Sequence, residues 1–243
     1  IYLEGNCLVI LTLKNEMWII ISGLLIKIII NINSICNIYY KMNIVLITSI
    51  INTPNTPLSY SNIRSVFTRN ERFEQTKKTI QSVKKYITNS IIILVDCTLF
   101  TNDESDYLQK ECDFILNLWE NKSVHPYIFG TSKSLGEGIM TIEALKYINN
   151  LNIDFEYLYK ISGRYWLNNK YNLQTINNNV FKTINGSKDN IFTALYKINK
   201  DISYKLLEFL INNIESMKKC IGYEILFSQF VNNINVQFVN NIG

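Results

Sequence analysis

Histidine is nearly absent from this chain: His125 stands alone among 243 residues. A His-rich metal centre is thereby excluded, and a Ser-His-Asp system would rest on that one residue, which precedes Pro126 in an expected surface loop. Cysteine is equally uninviting. Cys7, Cys36, Cys97, Cys112 and Cys220 are odd in number, widely scattered and free of Cys-x-x-Cys spacing. Neither a disulfide framework nor a zinc site is indicated, and a reducing, cytoplasmic setting is expected. Blocks of Lys or Arg are missing as well. A net charge of +4 spread along the chain argues against a nucleic-acid partner and suits a site for an anionic ligand. Two common phosphate cradles are absent too: there is no Gly-x-x-x-x-Gly-Lys-Ser/Thr, and no Gly-x-Gly-x-x-Gly follows the first strand.

A long hydrophobic run is also lacking. Trp18 to Ile32 is almost continuously apolar but is interrupted by Lys27. At roughly 15 residues it falls short of the ~20 that span a bilayer as a helix. Two readings of residues 1–41 stand side by side. One is an N-terminal apolar appendage whose residues 18–32 form a signal-anchor or interfacial helix at a membrane surface. The other is a mis-started reading frame, because the chain begins with Ile while Met42 directly precedes a strong strand signal. The shortness of the run and its lack of a basic flank favour the second.

What is present is apolar and regular. With 47% hydrophobic and 18% charged residues, the chain buries a sizeable core, and one domain over residues 42–243 plus the appendage is the simplest organisation. Asn43 to Ile50 reads as a buried strand, followed by a loop with Pro54 and Pro57. Thr68-Arg-Asn-Glu71 has the form of a capping box, and Phe73, Thr76, Ile80, Val83 and Ile87 recur behind it at helical spacing. Ile91 to Val95 is a short apolar run ending at Asp96, the pattern of a central parallel strand. A short helix over 103–110 and a strand over 114–118 follow. Ser134-Leu-Gly-Glu137 repeats the capping-box form before Ile139, Ile142, Leu145 and Ile148. Beyond an Asn-rich loop near 168–190 come a strand over 191–198 and helices over 201–217 and 222–230. Strands alternating with helices predict an α/β, three-layer, Rossmann-like domain with a mainly parallel central sheet.

Phe155 to Leu167 is the most purposeful stretch. Phe155, Tyr157, Tyr159 and Ile161 alternate with Glu156, Leu158, Lys160 and Ser162, the period of a strand with an aromatic face toward a core, and Gly163 ends it. Arg164 then stands just past the strand, where α/β sheets open into a ligand crevice, and becomes a candidate anion contact. Tyr165 and Trp166 offer ring faces for stacking on a sugar or base, although aromatics beside a strand more often belong to a core. Lys133-Ser-Leu-Gly-Glu-Gly138 opens a helix whose free amides can meet an anion, or is simply a helix start.

Taken in order, the pieces over residues 42–231 resemble a GT-A type glycosyltransferase of the family 2-like group. Val95-Asp-Cys-Thr98 stands where that group carries the acidic residue that contacts the nucleobase, which implies this role for Asp96. The segment from Lys133 to Gly138 resembles the basic, glycine-opened helix leading to the metal-binding strand. Gly222-Tyr-Glu-Ile-Leu-Phe227 is similar to the region supplying the general base, which implies a catalytic role for Glu224. The departure is the Asp-x-Asp motif, replaced here by Lys160-Ile-Ser-Gly-Arg-Tyr165. A divalent cation needs hard oxygen ligands, so no metal and no other cofactor are expected. Lys160 and Arg164 are expected around the diphosphate instead, with Lys133 and Tyr165 as further substrate-binding residues. The plainer alternative is that Lys160 pairs with a carboxylate and Arg164 caps the sheet edge.

The resemblance implies metal-independent, inverting transfer of a sugar from a nucleotide-sugar donor to a hydroxyl of a glycan, lipid or protein acceptor. Two alternatives remain: a non-catalytic nucleotide- or glycan-binding module on the same fold, and a membrane-associated structural protein working through residues 18–32. Asn241-Ile-Gly243 ends the chain without a closing element, so truncation at the C-terminus is a further expectation.

Overall fold

The computed structural model describes residues 42–240 and, ahead of them, the backbone of five short strands. Ile1–Lys41 and Met42–Gly243 form separate compact units. In the first, β1 (Tyr2–Leu3) pairs with β2 (Asn6–Cys7), and β3 (Val9–Leu13), β4 (Glu16–Ile21) and β5 (Leu24–Ile28) form an antiparallel sheet. The described part of the apolar run is strand, in β4 and β5, and not the helix of the anchor reading; residues 22–23 and 29–32 lie outside the described residues. Among the described residues, no helix is long and apolar enough to cross a membrane.

The second unit alternates strand and helix. Its elements are β6 (Met42–Thr48), α1 (Arg69–Tyr86), β7 (Ser90–Asp96), α2 (Asn102–Glu111), β8 (Phe114–Asn117), α3 (His125–Ile128), α4 (Lys133–Asn150) and β9 (Phe155–Ser162). There follow β10 (Val180–Ile184), β11 (Ser187–Asn199), α5 (Lys200–Asn212), α6 (Ile214–Lys218), α7 (Tyr223–Val231) and β12 (Gln237–Val239). One seven-stranded sheet results, in the order β12-β10-β11-β9-β6-β7-β8. Its pairs β9-β6, β6-β7, β7-β8 and β10-β12 are parallel, whereas β11 runs antiparallel to both β9 and β10. This is the expected mainly parallel sheet.

The three layers follow from strand alternation. On β6, Ile44 and Leu46 join a core with Ile139, Ile142 and Leu145 of α4, while Val45 and Ile47 join a second core with Ile80 and Val83 of α1. All four β6 side chains are fully buried, each contributing about 1.5 to 3 kcal/mol. Such burial holds β6 in register more firmly than any polar contact described below. On β9, Leu158 and Lys160 are as buried as Tyr159 and Ile161. The expectation of a single core-facing aromatic side is thus corrected: β9 is a central strand covered on both faces.

Three local expectations also change. The cap of α4 is Ser132, whose side chain accepts from the Leu135 amide; Ser134 and Glu137 lie inside the helix and form no capping box. The Asn-rich loop contains β10, joined to β11 through Asn185 and Gly186, both at positive φ (54° and 75°). Positive φ at both central positions is what a two-residue hairpin of matching twist requires. Finally, His125 opens the short helix α3 and is not in a loop.

Candidate functional site

The sheet order reverses at β6. From there β7 and β8 extend to one side and β9 to the other, so the crossovers part at the carboxyl ends of β6 and β9 and leave a crevice. A cleft of about 180 Å³ occupies that place. Thr48 to Ile50 and Ser162 to Tyr165 form its floor, α4 gives Lys133, Gly136 and Glu137, β11 gives Phe192 to Ala194, and Glu224 stands at the start of α7.

Its charge is lopsided. Arg64, Arg72, Lys133 and Arg164 line the cleft against two carboxylates, Glu137 and Glu224. The first two cations are committed to structure. Arg64 donates to Gly130 O at 2.7 Å and Ile128 O at 2.8 Å, satisfying carbonyls at the end of α3. Arg72 donates from Nε to Ile50 O, and burial, followed by repulsion from Arg164, pushes its pKa down to about 10 against the attraction of Asp96. Lys133 and Arg164 make no hydrogen bond or ion pair among the described residues, which leaves both heads available to a ligand. Lys133 is at the same time the first residue of α4, where the helix dipole adds its own attraction for anions.

A hydroxyl ladder on α1 holds the backbone on either side of Arg164. Thr76, Thr79 and Ser82 recur at three-residue intervals, so they share one face of the helix. Thr76 Oγ1 donates to Gly163 O at 3.3 Å, Thr79 Oγ1 donates to Tyr165 O at 2.6 Å, and Ser82 Oγ accepts from Leu167 N at 3.0 Å. Gly163 N also donates to Thr48 O at 2.8 Å. A Cβ at Gly163 would lie 3.0 Å from Ser49 Cβ and 3.1 Å from Thr76 Oγ1, so this close approach of backbone to α1 and β6 depends on glycine.

The expected site residues divide into two groups. Lys133, Arg164, Tyr165 and Glu224 meet in the cleft, as does the ring of Phe192, packed edge-on against Tyr165 at 5.4 Å. Lys160 and Asp96 do not line it. Lys160 is fully buried and on the α4 face of β9, where its Nζ donates to Glu137 Oε1 at 2.8 Å and to Thr193 O at 2.9 Å. The expected diphosphate contact is replaced by an internal ion pair. Burial alone would raise the Glu137 pKa, but the Lys160 ammonium, helped by Lys133 and Arg164, holds it below the usual carboxylate range.

Asp96 is likewise fully buried beneath the floor, which corrects its expected contact with a nucleobase. Its Oδ2 accepts the Ile51 amide at 3.1 Å, and its Oδ1 has no hydrogen-bond partner among the described residues. Burial pushes its pKa up to about 6, against the pull of Thr98, the Ile51 amide, Ser49 and Arg72. Trp166 also lies outside the cleft, half-exposed, with Lys78 Nζ 5.2 Å from its ring.

Arg64, Arg72 and Glu137 are the charged cleft residues that sequence reading did not single out as site residues. Arg72 looks like any polar residue in the first turn of a capped helix, and Arg64 like any loop arginine. Glu137 carries the one usable signal, as an acidic residue in the segment already selected around Lys133. No family model matches this chain, and a search of curated proteins finds no match. Among solved structures it is similar to 4-diphosphocytidyl-2C-methyl-D-erythritol synthase from Anaerococcus prevotii, at 19% identity and a TM-score of 0.47 over 82% of this chain and 86% of that one.

Proposed function

We propose that the cleft binds a nucleotide-sugar and that the protein transfers the sugar to a hydroxyl acceptor, without a divalent metal and with inversion. The observation that carries this reading is the pair of cations, Lys133 and Arg164, that line a cleft at the sheet's switch point and make no hydrogen bond or ion pair among the described residues. A guanidinium holds phosphate oxygens bidentately and an ammonium adds a point charge. Together they suit a diphosphate whose negative charge grows as it leaves. Lys160 supports the metal-free part of the proposal. It fills the strand position where the resembling family has carboxylates, and its ammonium pairs with Glu137.

Glu224 is the proposed general base. It is partly buried, makes no hydrogen bond or ion pair among the described residues, and lines the same cleft as Arg164. Tyr165 contributes a ring beside the diphosphate position. The deciding experiment is calorimetry with uridine, guanosine and cytidine diphosphates, followed by assay of the corresponding sugar nucleotides for sugar release and transfer. Binding with turnover that Glu224→Gln abolishes supports the transferase. Binding without turnover assigns the non-catalytic module, and no binding by any of the three sinks the nucleotide reading.

A further inference from the structure

A second cleft, of about 310 Å³, adjoins the first across the N-terminus of α4. Lys133, Glu137 and Glu224 line both. The rest of the second lining is different in kind: Ser59 and Tyr60 from the β6–α1 loop, Ser134 from α4, and Cys220 ahead of α7. The loop is pinned there, because Ser59 N donates to Thr131 O at 2.9 Å. Tyr60 is 69% exposed, so its ring is open to a ligand. The two clefts also differ in charge. Arg64, Arg72 and Arg164 line only the first, and the second sets Lys133 alone against Glu137 and Glu224.

We propose that this second cleft is the acceptor site and that it takes a neutral, polyhydroxylated ligand of the sugar class. The proposal rests on the nucleotide-sugar reading of the first cleft. An anionic acceptor would face the Glu224 carboxylate without any of the first cleft's arginines, whereas a sugar finds a hydroxyl partner in Ser59 and an aromatic face in Tyr60. Glu224 belongs to both walls, so it is the group that a hydroxyl in one cleft and an anomeric carbon in the other both approach. In the transfer step the acceptor O–H gives its proton to the Glu224 carboxylate. The acceptor oxygen then forms the new bond to the anomeric carbon. The anomeric carbon–oxygen bond to phosphate breaks, and its electron pair leaves with the nucleoside diphosphate beside Arg164.

Cys220 reports directly on this cleft, since its thiol is free and exposed while Cys97 and Cys112 are buried. The full-length protein is treated with iodoacetamide, and alkylation of the peptide carrying Cys220 is followed by mass spectrometry. The additives are methyl α- and β-glycosides of glucose, galactose and mannose, and separately uridine, guanosine and cytidine diphosphates. At ten times its half-protecting concentration, a glycoside that fills the cleft slows alkylation about tenfold. The nucleoside diphosphates leave the rate unchanged, and Tyr60→Ala removes the glycoside protection. Protection by a nucleoside diphosphate alone, or by no glycoside of the panel, overturns the acceptor assignment. Failure of the nucleotide reading is separate, because it shows as absent diphosphate binding in calorimetry whatever happens at Cys220.

Discussion

Lys160 Nζ lies 2.8 Å from Glu137 Oε1, joining the central strand β9 to the cleft-facing start of α4 through a fully buried ammonium. The pair is a positioning device. It fixes Glu137 at the wall between two clefts and removes a charge that would otherwise be stranded inside the sheet.

Breaking the pair from the acidic side is the harsher change. Glu137→Gln strands a buried ammonium and is expected to cost about 3 to 5 kcal/mol in urea unfolding. Lys160→Met together with Glu137→Gln recovers most of that loss, because an apolar chain of similar length replaces the charge. Glu137 has a lowered pKa in the folded state, so its contribution is complete above the ordinary Glu value of about 4.3. It is lost as the pH falls through the lower folded value. An acid-unfolding profile of the double variant that overlays that of the wild type would contradict this role.

Arg164→Ala removes the one cleft guanidinium that makes no hydrogen bond or ion pair among the described residues. Loss of a charge-assisted contact worth about 1.5 to 3 kcal/mol weakens nucleoside diphosphate binding roughly 10- to 100-fold. Arg164→Lys keeps the charge but loses the fork and falls between the two. Thermal unfolding without ligand stays near wild type for both variants, since Arg164 makes no hydrogen bond or ion pair among the described residues. Unchanged calorimetric affinity in Arg164→Ala would remove the residue from the site.

Thr79→Val tests whether the hydroxyl ladder aims Arg164. The substitution keeps shape but leaves Tyr165 O without its donor, a cost of about 1 to 3 kcal/mol. Nucleoside diphosphate affinity falls although Thr79 does not line the cleft, and Thr79→Ser restores it. Affinity equal to wild type in Thr79→Val, with stability lowered, would reduce the ladder to a structural brace.

Asp96 gives a pH signature of opposite sign. Its folded-state pKa is raised to about 6 by burial, so the folded protein holds a proton that the unfolded chain has released between about pH 4 and 6. Stability therefore falls as the pH rises through that window, and the full cost of the buried charge is present above it. Asp96→Asn is expected to be more stable than wild type by about 1 to 3 kcal/mol at pH 7.5, with the gain vanishing near pH 4. An equal gain at both pH values would refute the assignment to ionisation.

Several features were legible because their causes are local. Thr68 and Glu71 form the expected capping box, since both partners lie within one turn. The apolar runs of β6 and β7 marked central strands because both sheet faces are covered. Ser134 and Glu137 carry the same capping pattern but do not cap: Ser132 starts the helix two residues earlier and Lys160 draws Glu137 away. The Asn185-Gly186 pair carries a hairpin-turn signal, but the many asparagines around it mask that signal.

The order and type of the elements from Met42 onward were determined by the sequence itself, through alternation, helical spacing and caps that act over a few residues. So was the gathering of Lys133, Arg164, Tyr165 and Glu224, because a mainly parallel sheet directs the ends of its strands and the starts of its helices to one edge. Which charges stay free was decided only by tertiary structure. Lys160 and Arg164 are four residues apart and alike in charge, yet one meets Glu137 and Thr193 across the fold and the other makes no hydrogen bond or ion pair among the described residues. Burial and pairing belong to neighbours that are distant in the chain, and no local pattern around Lys160 encodes them.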